Sequence, residues 1–82
     1  MEKNEIVEVI AGTVRDIMDD KSLVISEDTA PEDVDGWDSV THVNLVTALE
    51  EKYDVKLSLR EMMSWETVGD LADTILNKVQ NG

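Results

Sequence analysis

Apolar residues recur at helical spacing in three long stretches of this chain, which predicts an all-α fold. The first stripe is Ile6, Val7, Val9, Ile10, Val14, Ile17 and Met18. Its spacings of three and four predict a helix over about residues 4–18, with Gly12 as a weak interior position that lets a neighbour pack closely. The second stripe, Val43, Val46, Leu49 and Tyr53 with Leu45 beside it, predicts a helix over about residues 39–53 with that face in the core. The third, Val68, Leu71, Ala72, Ile75, Leu76 and Val79, predicts a helix over about residues 67–79. Thr67 caps that helix in a Thr-x-x-Asp box with Asp70, Trp65 closes one end of the core, and Asn81 and Gly82 end the chain's last helix. Between the second and third stripes, Val55-Lys56-Leu57 is too short for a strand and reads as a connector with two core anchors. Ser58 and Glu61 have the spacing of a capping box, which predicts a short helix over about residues 59–63.

The helical period vanishes between Asp19 and Asp38, where acidic, hydroxyl and proline residues accumulate and predict a loop. Loops of more than about 12–15 residues are functional or pinned to the core. Leu23, Val24, Ile25, Val34 and Trp37 are the expected anchors, and Pro31-Glu32-Asp33 suits the start of a short helical turn. Asp33-Val34-Asp35-Gly36 looks like the middle of a calcium loop, but the register fails. With Gly36 at the sixth position, the first ligand is Pro31 and the twelfth is His42, neither of which can serve. No dedicated metal site is expected.

The loop ends at Gly36-Trp37-Asp38, and Ser39 begins the second helix. A serine in a first helical turn faces unpaired backbone N–H groups and the positive end of the helix dipole, both of which favour an added anion. Ser39 is therefore the candidate for a phosphate ester. The helix face opposite the predicted stripe gathers Val40, Thr41, Asn44, Thr47, Ala48 and Glu51, a candidate partner-docking surface or simply a solvent face with one apolar residue. His42 falls within the apolar arc beneath Ser39. It reads as a packed, hydrogen-bonded histidine or as a polar gate to the interior, and Met62 and Met63 read as core filler or as an adaptable wall.

Composition narrows the classes. Nineteen acidic residues against seven basic ones give a net charge of −12, so nucleic acid is excluded as a natural partner and basic patches are favoured. The chain has no cysteine and one histidine, which removes disulfides, thiolate nucleophiles and multi-histidine metal sites. No long apolar run suggests a membrane span, and no leader is evident, so one cytoplasmic, monomeric domain over residues 1–82 is expected.

Asp38-Ser39-Val40, followed by Val43, Leu45, Val46, Leu49, Glu50, Glu51 and Tyr53, resembles the modification site and second helix of acyl carrier proteins. Thr67-Val68-Gly69-Asp70 resembles that family's entry to helix four. The resemblance covers nearly the whole chain and implies a four-helix bundle of acyl-carrier-protein type, with a long loop between helices one and two and a short helix three. It implies a carrier, not an enzyme. Ser39 corresponds to the serine that receives 4′-phosphopantetheine from coenzyme A, and Asp38 to the aspartate that helps a phosphopantetheinyl transferase hold Mg²⁺. His42, Val43, Val46, Leu49, Met62 and Met63 fall around the cavity expected to accept the acyl chain. Acyl-transfer and acyl-modifying enzymes with basic patches are the implied partners. Thr41, Asn44 and Lys56 depart from the acidic pattern of fatty-acid-synthesis carriers, although Asp38, Glu50 and Glu51 remain. That departure points to a specialised pathway, polyketide-like, lipopolysaccharide or modified fatty acid. A housekeeping fatty-acid carrier, a peptidyl or aminoacyl carrier and a plain interaction module remain as alternatives.

Overall fold

Four helices, with a single 3-10 turn ahead of the second, make up the computed structural model, which describes residues 1–81. Helix α1 spans Lys3–Met18, α2 Ser39–Tyr53, α3 Leu59–Ser64 and α4 Val68–Asn81, and the turn is Pro31–Asp33. The expected terminator Gly82 lies outside the described residues.

The apolar stripes of α1 and α4 close on one another as their periodicity requires. Ile6, Ile10 and Val14 from α1 meet Val68, Leu71 and Ile75 from α4 in the buried core. Helix α1 packs against both α4 and α2. Leu45, Val46 and Leu49 are the α2 contribution, and Trp65 covers one end, as its place between α3 and α4 suggested.

Helix α2 is rotated relative to the expected stripe. Its buried residues are Thr41, Leu45, Val46 and Leu49, whereas Val43 is 47% exposed. The weakly amphipathic α2 sequence left two registers open, and the structure takes the one that buries Thr41 with Leu45, Val46 and Leu49. Thr41 buries its methyl group while its backbone N–H donates to Asp38 Oδ1 at 2.9 Å and its hydroxyl faces Met18 Sδ at 3.8 Å. A buried threonine with both donors engaged costs little.

Both α1 and α2 end without glycine. Asp19 and Asp54 take the left-handed conformation, with φ of 52° and 53°, which aspartate tolerates better than most residues. The N–H groups of Asp20 and Val55 then reach back to the carbonyls of Arg15 at 3.0 Å and Glu50 at 3.1 Å, satisfying helix ends that would otherwise be bare.

The long loop is pinned, as its length required, but by fewer apolar anchors than expected. Ile25 and Val34 are buried, Leu23 and Trp37 are half-buried, and Val24 is 88% exposed. An extended run turns alternate side chains to opposite sides, so Leu23 and Ile25 turn inward and Val24 cannot follow. Backbone bonds do the rest. Arg15 Nε donates to the Leu23 carbonyl at 2.8 Å, and the first N–H groups of α4, from Val68 and Gly69, donate to the carbonyls of Thr29 and Glu27, each at 2.8 Å.

Gly12 does not serve a close helix approach. A Cβ placed there meets nothing within 4 Å, so the expected tight neighbour is absent. Gly12→Ala is therefore expected to stabilise the protein by up to about 1 kcal/mol through helix propensity alone. Urea unfolding of the two proteins checks it, and a lower midpoint for the variant would show an undetected crowding at this position.

Candidate functional site

Gly36 turns the loop into α2. Its φ of 87° belongs to the region that side-chain-bearing residues avoid, and a Cβ there would lie 3.2 Å from Met18 Cε. The turn delivers Trp37 to the bundle surface half-buried and leaves Asp38 as the N-cap of α2. Asp38 Oδ1 accepts the Thr41 N–H, and the Asp38 carbonyl accepts the first helical bond from His42 N–H at 3.0 Å. The cap role follows from aspartate's ability to satisfy an orphan donor, and the sequence reading had missed it.

The bond from the Thr41 backbone holds the Asp38 carboxyl below the usual carboxylate range, with further help from the Thr41 side chain. A group with a lowered folded pKa stabilises above its unfolded pKa, and the contribution fades as pH falls through the folded value. Wild type should therefore melt above Asp38→Ala near neutrality, and the gap should close in strong acid. Paired thermal melts along a pH series check this, and a gap independent of pH would remove charge from the capping argument.

Ser39 follows at the first helical position and is exposed. Beside it opens an apolar groove of about 290 Å³ lined by Trp37, Asp38, Ser39, His42, Val43 and Met63. His42, Val43 and Met63 line a surface groove, whereas Val46 and Leu49 are packed in the core at 0% and 1% exposure. Met62 is half-buried behind the groove and offers its backbone, its carbonyl lying 2.8 Å from His42 Nε2.

That contact ties α2 to α3. Helix α3 is itself held by its capping box, in which Ser58 N–H donates to Glu61 Oε1 at 2.8 Å and Glu61 N–H to Ser58 Oγ at 3.1 Å. Lys78 of α4 reaches the same carboxylate at 2.9 Å. His42 also stacks on Trp65, with ring centroids 4.9 Å apart and planes 18° from parallel. Trp37 meets both rings edge-on, at 6.3 Å from His42 and 6.0 Å from Trp65. The histidine thus belongs to an aromatic cluster between α2, α3 and the loop, a reading the sequence reached only as a packed histidine. The two indole N–H groups are buried without a partner among the described residues, and such donors cost about 1–3 kcal/mol each when left unsatisfied.

The proposed docking face also needs correction. Val40, Asn44, Thr47 and Glu51 are exposed and Ala48 is half-buried, but Thr41 is buried and leaves the face. Two of the three acidic groups expected there are committed elsewhere. Glu50 Oε2 accepts the Leu57 N–H at 2.8 Å and fixes the connector to α3, while Asp38 caps α2. Both carboxylates stay charged, and beside them the surface around Ser39 carries apolar side chains, with Val40, Val43, Leu59 and Met63 at 65%, 47%, 73% and 68% exposure. Shared lining by Met63 joins the Val43 groove to the Leu59 side of α3.

This arrangement leaves the Ser39 hydroxyl exposed at the start of α2 beside an apolar groove. Residues 8–75 match the family described as the phosphopantetheine attachment site. The acyl carrier protein of Thermosynechococcus vestitus is 36% identical over 80 residues, covering 96% of this chain and 98% of the relative. The solution NMR structure of holo acyl carrier protein from Geobacter metallireducens aligns with a TM-score of 0.82 and 36% identity, over 93% of this chain and 87% of that one. The chain belongs to the acyl carrier protein family. It is a carrier rather than an enzyme, and its prosthetic group is covalently bound phosphopantetheine. Phosphopantetheinyl transferase and acyl-handling enzymes are its partners as a member of that family. No described helix is long and apolar enough to cross a membrane.

Proposed function

We propose that Ser39 carries the phosphopantetheine arm and that this carrier serves a dedicated pathway, polyketide-like, lipopolysaccharide or modified fatty acid, rather than housekeeping fatty-acid synthesis. The observation that supports attachment most directly is the exposed Ser39 hydroxyl beside the apolar groove, on a helix start whose cap belongs to Asp38. The residues fit the group. A phosphodiester at Ser39 gains from the N-terminal field of α2, and the groove offers apolar surface next to the ester.

When bound, the arm supplies a terminal thiol that holds acyl groups as thioesters. The chain's own residues do the positioning. Ser39 Oγ would give up its proton and form the ester bond to the pantetheine-side phosphorus of coenzyme A as the pyrophosphate linkage breaks and adenosine 3′,5′-bisphosphate leaves, while Asp38 holds the first turn of α2 in place. With Oδ1 engaged by Thr41, the Asp38 carboxylate retains acceptor capacity for the Mg²⁺ held during transfer. Tethering then raises the effective concentration of cargo at whichever enzyme docks.

The pathway reading rests on the docking face. Val40, Val43, Asn44 and Thr47 add uncharged surface between Asp38 and Glu51, so recognition draws on apolar contact as well as on steering by opposite charge. Incubation with coenzyme A and a phosphopantetheinyl transferase should add the arm's mass to a peptide containing Ser39. A standard ketoacyl synthase and enoyl reductase should then process the loaded protein more slowly than a housekeeping carrier. Equal rates would overturn the dedicated pathway, and an unchanged mass would overturn attachment.

A further inference from the structure

We propose that Trp37, Val43 and Met63 seat the first segment of the phosphopantetheine arm by its geminal dimethyl group, so that the arm swings from this groove rather than from the Ser39 oxygen. The proposal rests on attachment at Ser39 and deepens it by assigning the groove to the arm instead of to the acyl cargo.

Covalent reach makes the assignment. Ser39 itself lines the groove, so a group bonded to its Oγ starts at the groove wall. Counted from that oxygen, the quaternary carbon that bears the two methyls is four bonds away and the thiol sulfur fourteen. An extended chain advances about 1.2 Å per bond, which puts the methyls about 6 Å from Oγ and the start of the cargo about 17 Å away. Val43 lies one turn along α2 from Ser39, about 6 Å on at about 1.5 Å per residue, and both residues line the groove. The methyls therefore fall at the level of Val43, whereas cargo returns to it only when the arm doubles back on itself.

The lining suits this occupant. The loop supplies Trp37, α2 supplies Val43 and α3 supplies Met63, and all three keep surface open to a ligand, with Val43 and Met63 at 47% and 68% exposure and Trp37 half-buried. Two methyls on one carbon make a compact branched knob without hydrogen-bonding atoms, and its burial against apolar side chains is favourable. The groove of about 290 Å³ has room for on the order of ten groups of about 30 Å³ each, enough for the eight heavy atoms of the pantoyl unit. The phosphate stays at the start of α2, and the rest of the arm leaves past Met63, where the groove meets the Leu59 side of α3.

Seating the quaternary carbon shortens the swinging length from fourteen bonds to ten, about 12 Å instead of about 17 Å. A shorter tether that still spans its sites raises the effective concentration of the thiol at a docked enzyme.

The test compares the full-length protein without an arm, loaded by transferase from coenzyme A, and loaded from butyryl- and decanoyl-coenzyme A, each by intact mass and NMR. A missing mass increment overturns Ser39 attachment and this proposal with it; once the arm is on, the spectra decide the proposal alone. The Val43 and Met63 methyls should shift when the bare arm is added and hold those positions with either cargo, and the geminal methyls should show nuclear Overhauser contacts to both residues. Carbon relaxation should find the geminal methyls as ordered as the bundle and the methylenes beside the thiol mobile on the picosecond to nanosecond scale. Shifts that appear only with cargo, geminal methyls without contacts to Val43 and Met63, or uniform mobility from phosphate to thiol overturns the proposal. Val43→Ser on α2 and Met63→Ser on α3 should each free the geminal methyls, and contacts and order kept in both variants would show that neither residue belongs to the seat.

Discussion

Ser39→Ala is expected to abolish loading completely while leaving the fold as stable as wild type. The two halves of that expectation come from different atoms. The substitution removes only Oγ from an exposed residue, so no core contact or buried hydrogen bond is lost. The N-cap acceptor is supplied by Asp38 to Thr41, and alanine is the best helix former at an interior position. Loss of the arm therefore cannot be blamed on unfolding. Other exposed hydroxyls sharpen the test. Ser22 donates to Asp20 Oδ1 at 2.6 Å and Ser58 accepts from Glu61 in a capping box, so both are engaged in local structure. Neither adjoins the groove. Coenzyme A, a transferase and intact-mass measurement on wild type and variant settle the matter, with coincident urea curves as the control. A variant that still gains the arm's mass would move the attachment point elsewhere.

The same helix start shows how far a sequence reading reaches. Strong periodicity made α1 and α4 legible, because their apolar stripes tolerate only one orientation toward a core. The capping boxes at Ser58 and Thr67 were legible for a related reason: the bonds they predict are local, and the structure contains them. Ser58 pairs reciprocally with Glu61, and Asp70 N–H donates to Thr67 Oγ1 at 3.2 Å while Thr67 N–H donates to Asp70 Oδ2 at 3.3 Å. Helix α2 was harder. Its apolar residues fit two stripes, and the one taken buries Thr41, whose hydroxyl meets Met18 of another helix. Periodicity carries no information about such partners.

That single rotation explains where several expected site residues fall. Turning Thr41 inward turns Val43 outward, from core to groove wall, while Val46 and Leu49 remain sealed inside. His42 then lies against Trp65 and the Met62 carbonyl. Trp37 and Trp65 were visible in the sequence as a loop anchor and an end closure. Their meeting was not, since it requires the loop, α2 and the α3–α4 junction to converge. Glu50 is similar: in sequence it is a free acidic group, and in the fold it holds the Leu57 N–H.

Gly69→Ala is expected to destabilise the protein by about 1–3 kcal/mol, the opposite sign from Gly12→Ala. Both glycines sit in helices, where alanine is intrinsically better by up to about 1 kcal/mol, so propensity cannot explain a difference. Space does. A Cβ at Gly69 would lie 3.0 Å from the Glu27 carbonyl oxygen and 3.2 Å from Glu27 Cγ. The side-chain atom can move, but the carbonyl is held by the Gly69 N–H itself at 2.8 Å, with Val68 and Thr29 bonded alongside at 2.8 Å. Relieving the clash means drawing the loop off the start of α4 and exposing two helix N–H groups that net about 0.5–1.5 kcal/mol each when bonded. The strain and lost bonds outweigh the gain in propensity. Against a total stability of about 5–15 kcal/mol the effect is large, and at about 4–8 °C per kcal/mol for a domain of this size the melting temperature should fall visibly. Amide exchange should quicken at Val68, which bonds the displaced loop, more than at Ile10 in the core of α1. A variant as stable as wild type would mean that the loop does not rest on α4, and the seat of the segment that carries Trp37 to the groove would have to be sought elsewhere.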